Sequence, residues 1–138
     1  MKERCVFGNL RRASRVTTLH FDRAFSAAGL RITQYSVQIN VALAENVTIS
    51  ELGKMLRMDQ TTVTRNLKLL EREKYIAIQR ESGDARRKSV SLTDLGAQKV
   101  EELLPLWEIV QRKIEEDLGT ERFKKLISLL REIERICG

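Results

Sequence analysis

A chain of 138 residues with 42% hydrophobic and 32% charged residues can build one domain with extensions, and one Pro and seven Gly exclude a low-complexity chain. Two cysteines, Cys5 and Cys137, make neither a disulfide framework nor zinc-ligand spacing, and no apolar run approaches the roughly 18 residues of a membrane span. The net charge of +6 points to an acidic partner, nucleic acid before an anionic membrane, and without a secretory apolar region the chain is expected in the cytoplasm.

From Val6 the apolar and small residues Leu10, Ala13, Thr17, Phe21, Ala24 and Ala28 recur at steps of three or four, which predicts one long amphipathic helix ended by Gly29. Thr33 is placed to cap a second helix through Tyr35, Ile39 and Leu43. A short strand over 47–49 follows, and Ser50 is expected to cap a brief third helix carrying Leu52, Met55 and Leu56.

Asp59 is placed to cap a fourth helix from Gln60. Its apolar residues Val63, Leu67 and Leu70 are spaced i, i+4, i+7, and its other face reads Thr61, Thr62, Thr64, Arg65, Lys68, Arg72. Two helices joined by a tight turn, the second with a Thr/Arg/Lys outer face, form a helix-turn-helix pattern over about 50–73.

Residues 75–79 and 88–92 alternate as β-strands, with Gly83-Asp84 as the turn signal in a loop over 80–87. A hairpin behind a helix-turn-helix is a wing, here about 75–92. Thr93 is expected to cap a fifth helix with Val100, Leu103, Trp107, Val110, Ile114 and Leu118 on one face, bent at Pro105. After Gly119, Thr120 is expected to cap a sixth helix through Leu126, Leu130 and Ile133 to Cys137. Apolar stripes on the terminal helices, about 6–28 and 94–137, call for a partner surface, and a second copy in a two-fold dimer is the simplest one. The expected fold is mainly α with a small β-wing: one winged helix-turn-helix domain with long N- and C-terminal dimerisation helices.

Each candidate residue has a chemical rationale. The fourth helix, roughly 21 Å long, can cross a major groove. In it Thr61, Thr62 and Thr64 suit phosphates or thymine methyls, Gln60 an adenine and Arg65 a guanine, and Lys68 is a further DNA-binding candidate on the same face. In the wing, 80–88, Ser82, Arg86 and Arg87 are the DNA-facing candidates, the arginines suited to a narrow minor groove. Gly83 and Asp84 are assigned to wing structure, Asp84 by shaping the turn or holding a nearby arginine. Two such helices about 34 Å apart would read a pseudo-palindromic operator. His20 is the only histidine, and no P-loop, metal set or nucleophile–base pair is present, so neither an enzyme, a metal nor a cofactor is expected.

The motifs resemble those of the MarR family of bacterial transcription regulators. Asp84-Ala85-Arg86, followed by Val90, Leu92-Thr93 and Gly96, is similar to the family's D-x-R…L-T-x-x-G wing motif. The segment 61–65, Thr-Thr-Val-Thr-Arg, resembles its recognition-helix motif, and 30–35, Leu-Arg-Ile-Thr-Gln-Tyr, its G-L-T-x-x-Q-[FY] segment. The resemblance covers essentially the whole chain. It implies a homodimeric repressor released by a small ligand or by cysteine oxidation, which makes Cys5 and Cys137 redox candidates across a dimer. It also implies a pocket for a small aromatic effector, with Tyr35 and Trp107 as candidate lining residues. The alternatives are a winged-helix protein-interaction module or a non-specific architectural DNA binder.

Overall fold

A computed structural model describes residues 3–138, with only the backbone described at Asp84 and Ala85. Among the described residues the chain forms six α-helices, a 3₁₀ turn and three strands. In order they are α1 (Val6–Phe25), the 3₁₀ turn (Ser26–Ala28), α2 (Ile32–Ala44), β1 (Val47–Thr48), α3 (Ile49–Leu56), α4 (Gln60–Arg72), β2 (Ile76–Glu81), β3 (Asp84–Leu92), α5 (Asp94–Leu118) and α6 (Thr120–Cys137).

Helix α2 sits at the centre, touching α1, α3, α4, β3 and α5. Its Tyr35, Val37 and Val41 are buried together with Phe25, Leu52, Val63, Leu67, Leu70, Val90 and Leu103. Phe25 meets Tyr35 edge-on at 5.3 Å and 83°, a favoured aromatic geometry. It lies one position beyond Ala24 of the stripe read from the sequence, and Ala24 and Ala28 pack at the edge of the same core.

Three helix starts differ from expectation. Thr33 is the second residue of α2, not its cap. The helix begins at Ile32, whose N–H donates to Asp22 Oδ1 of α1 at 2.8 Å, while Gln34 Oε1 accepts from the Arg31 N–H at 3.0 Å. Ser50 likewise lies inside α3. The cap is Thr48, whose hydroxyl accepts from the Glu51 N–H at 3.1 Å while Glu51 returns a carboxylate to the Thr48 N–H at 2.9 Å. Thr120 opens α6 with no side-chain cap, and Gly119 at φ 84° makes the turn. As expected, Asp59 caps α4 and Thr93 caps α5. α5 continues through Pro105, which lies on its exposed face.

The sheet is antiparallel in the order β1-β3-β2. Ile76 pairs with Leu92, Ile78 with Val90 and Arg80 with Lys88, and Val90 also pairs with Val47 of β1. The expected loop over 80–87 is mostly strand. The ladder runs on to Glu81, Gly83 turns at φ 97°, and a register shift beyond Arg80 accommodates the extra residues of β3. Hydropathy alternation fades there because the side chains are charged and exposed, yet backbone pairing needs no apolar face.

Gln38 of α2 is 0% exposed, and neither amide atom has a hydrogen-bond partner among the described residues. A buried unsatisfied amide costs roughly 1–3 kcal/mol. Gln38→Met, which fills the same volume without polar atoms, is expected to raise unfolding stability by about 1 kcal/mol in urea titrations. A loss of stability would show that the amide is satisfied in solution.

Candidate nucleic-acid interface

The helix-turn-helix is closed by backbone. The Met58 N–H donates to the Gly53 carbonyl at 2.9 Å, and Arg57 takes a left-handed φ of 53° to end α3. A Cβ at Gly53 would stand 3.2 Å from the Met58 carbonyl oxygen, tighter than an ordinary contact, so α3 and the turn approach each other closely here. Asp59 Oδ1 then accepts from the Thr62 N–H at 2.7 Å to start α4.

That hydrogen bond, with the charge of Arg65 nearby, holds the Asp59 carboxyl below the ordinary 3.8. Because the folded value is depressed, the stability it contributes is present above the unfolded value and lost as pH falls through the folded one. Asp59→Asn keeps the acceptor but not the charge. The stability advantage of the wild type over Asp59→Asn should therefore shrink between about pH 7 and about pH 3. A pH-independent difference would remove the charge from the cap's contribution.

Val63, Leu67 and Leu70 anchor α4 in the core. This turns Gln60, Thr61, Arg65 and Lys68 to solvent, while Thr62 and Thr64 are half-buried. Gln60, Thr61, Thr64, Arg65 and Lys68 line one open hollow of about 840 Å³, to which Arg72 also contributes. Arg72, one turn beyond Lys68 on the basic face read from the sequence, extends the expected DNA-facing set. Thr62 stands apart from this hollow: its N–H serves the cap, and its carbonyl accepts from Asn66 Nδ2 at 2.9 Å.

In the wing, Ser82 and Gly83 form the exposed tip, while Arg86 and Arg87 lie on β3 rather than at the turn, both exposed. Arg87 reaches Glu81 of β2 at 3.4 Å and Glu51 of α3 at 3.8 Å. Its guanidinium thus bridges wing and helix-turn-helix. Glu51 is held below the usual carboxylate range first by the Thr48 N–H, then by the Thr48 side chain, with Arg87 adding to the effect. This pairing of residues 36 positions apart (87 − 51) has no local sequence signal. The role expected of the Asp84 side chain lies outside the described residues.

Tyr35 and Trp107 do come together. With Phe21, Ile39, Ser36 and Gln111 they line an apolar hollow of about 450 Å³ between α1, α2 and α5. Burial, and then the charge of Glu108, push the Tyr35 hydroxyl above its ordinary value, so it stays neutral at physiological pH. Cys5 caps α1, its sulfur accepting from the Gly8 N–H at 3.4 Å, and Cys137 ends α6; both are free, exposed thiols. No helix among the described residues is long and apolar enough to cross a membrane.

Comparison with known proteins agrees with this geometry. A family model described as MarR family matches residues 28–87, which span the end of the 3₁₀ turn to the bulged strand of the wing. The M. tuberculosis transcriptional regulator MOSR, solved in complex with DNA, is 31% identical, with 96% of this chain and 98% of that chain covered at a TM-score of 0.84. BpsR of Bordetella bronchiseptica, whose DNA binding is regulated by 6-hydroxynicotinic acid, superposes at a TM-score of 0.87 over 97% and 96% of the two chains. At 24% identity that likeness speaks to fold alone. The regulator SarZ of Staphylococcus epidermidis is 37% identical over 68 residues, 49% of this chain and 46% of SarZ, so the match spans about half the length of that relative.

Proposed function

The chain belongs to the MarR family, and from that premise we propose that it is a homodimeric, sequence-specific DNA-binding transcription regulator acting in the cytoplasm. The observation that carries this reading is the division of α4. Val63, Leu67 and Leu70 fix it in the core, and Gln60, Thr61, Arg65 and Lys68 stand exposed in one row. That row has the donors and cations a major groove demands, and an interaction module would present apolar anchors there instead. The wing over 80–88, with Ser82, Arg86 and Arg87, enters the adjacent minor groove. Arg87 doubles as the strut that holds the wing against α3. MOSR, similar over nearly its whole length, is solved with DNA, and an E. coli MarR variant sharing the fold is solved with operator DNA.

The regulator is a repressor, released when a small aromatic effector fills the hollow at Tyr35 and Trp107 or when Cys5 and Cys137 are oxidised across the dimer. The apolar lining of that hollow supports the first route, and the exposure of both thiols the second. The test of the DNA reading is Arg65→Ala. It should cost about 1–3 kcal/mol of discrimination between the preferred site and random duplex. An unchanged ratio of the two affinities would take base reading away from Arg65.

A further inference from the structure

The inner face of the hairpin changes character along its length. Ile76 faces Leu92 and Ile78 faces Val90, and the next pair on the same face is Arg80 opposite Lys88. Like charges directly opposite each other across an antiparallel pair destabilise it. A third cation faces them from the recognition helix. Lys68, with Thr64, Arg80 and Lys88, lines a hollow of about 240 Å³ between α4 and the middle of the hairpin. Its floor is the apolar edge of the core, Leu67 and Ile78.

The local carboxylates leave these charges uncompensated. Among the described residues Lys68, Arg80 and Lys88 form no ion pair, and neither does Glu71, the carboxylate in the lining. Arg87 on the same hairpin has two acidic partners, so the wing does neutralise cations where they serve as struts. Three unpaired cations and a hydroxyl around a small concavity describe a seat for a tetrahedral dianion or monoanion.

We infer that Lys68, Thr64, Arg80 and Lys88 seat one backbone phosphate of the bound duplex. This rests on the proposed DNA-binding function. With α4 in the major groove and the wing tip in the next minor groove, the sugar–phosphate strand separating the two grooves must cross between them. The hollow occupies that place, between helix and hairpin. The cross-strand repulsion is then a cost borne by the free protein and relieved by the phosphate.

The test uses the full chain and compares Arg80→Gln, Lys88→Gln and Arg112→Gln, the last an exposed cation of α5 that removes the same charge away from the wing. Log affinity is followed against log salt between about 50 and 200 mM, on the preferred site and on random duplex. Arg80→Gln and Lys88→Gln should each lower the salt slope by about one, weaken both duplexes by the same factor, and raise the melting temperature of the free protein. Arg112→Gln should leave the slope at its wild-type value. Wild-type slope in the two wing variants, or a changed preference between the duplexes, overturns the phosphate seat while leaving the regulator reading standing. A wild-type protein without salt-dependent duplex binding overturns both. Inorganic phosphate, added at constant ionic strength, should shift the melting temperatures of the wild type and of Lys88→Gln by the same amount. A rise that Lys88→Gln abolishes would assign the seat to free phosphate and overturn the DNA source.

Discussion

Gly96→Ala is expected to destabilise the protein by about 3 kcal/mol or more, although alanine is the better helix former by roughly 1 kcal/mol. Gly96 lies in the first turn of α5, buried against the chain that enters β2. A Cβ there would overlap the Tyr75 carbonyl oxygen and stand 2.8 Å from its carbonyl carbon. These are backbone atoms, and they cannot rotate aside. Thr93 fixes them from the other direction: its N–H donates to the Tyr75 carbonyl at 3.1 Å, its hydroxyl donates to the Lys74 carbonyl at 2.6 Å, and the same hydroxyl oxygen accepts from the Gly96 N–H at 3.0 Å. Lys74 already holds a left-handed φ of 63° to make this approach, so the segment has little slack. Relief of the clash requires α5 to move away from the wing. Chemical denaturation should show the lost stability, and DNA affinity should fall with it through misplacement of the wing. A variant as stable as the wild type would mean that the close approach at Tyr75 is not kept in solution.

The second large effect concerns the terminal helices. No residue of helix α6 is fully buried within the chain, only Phe123, Ile127 and Ile133 being half-buried, and Phe7, Val16, Ile109 and Ile136 are between 66% and 70% exposed. Such apolar area is costly in water at about 25 cal/mol per Å², and in the proposed dimer it is covered by the partner copy. Leu129→Asp with Ile136→Asp places two charges on that face without disturbing the core formed by α2, α4 and β3. The double variant should keep its far-UV spectrum, sediment as a monomer, and lose on the order of 10²–10⁴-fold in affinity for a two-half-site duplex. A persisting dimer of full affinity would place the interface elsewhere.

The helix-turn-helix and its wing are legible in the sequence because local signals agree there. Asp59 caps, Val63, Leu67 and Leu70 recur at helical spacing, and Gly83 marks the turn. The misplaced helix starts show where local signals compete. Thr33, Ser50 and Thr120 are plausible caps by type, but α2 is started by Asp22 from another helix and α6 by a glycine turn. At α3 two caps compete by type, and the Thr48–Glu51 capping box, which satisfies two backbone N–H groups, starts the helix ahead of Ser50. The bridge from Arg87 to Glu51 and the confrontation of Lys68 with Arg80 and Lys88 depend on strand register and on the packing of the wing against the helix-turn-helix. Neither leaves a local trace in the sequence.

Binding-site selection from random duplex DNA with the full chain measures the function most directly. The expected result is an enriched inverted repeat whose half-site centres lie about one helical turn, roughly 34 Å, apart. Recovery of no sequence above the random background, or of a lone half-site without its inverted partner, would contradict a two-fold, sequence-specific regulator.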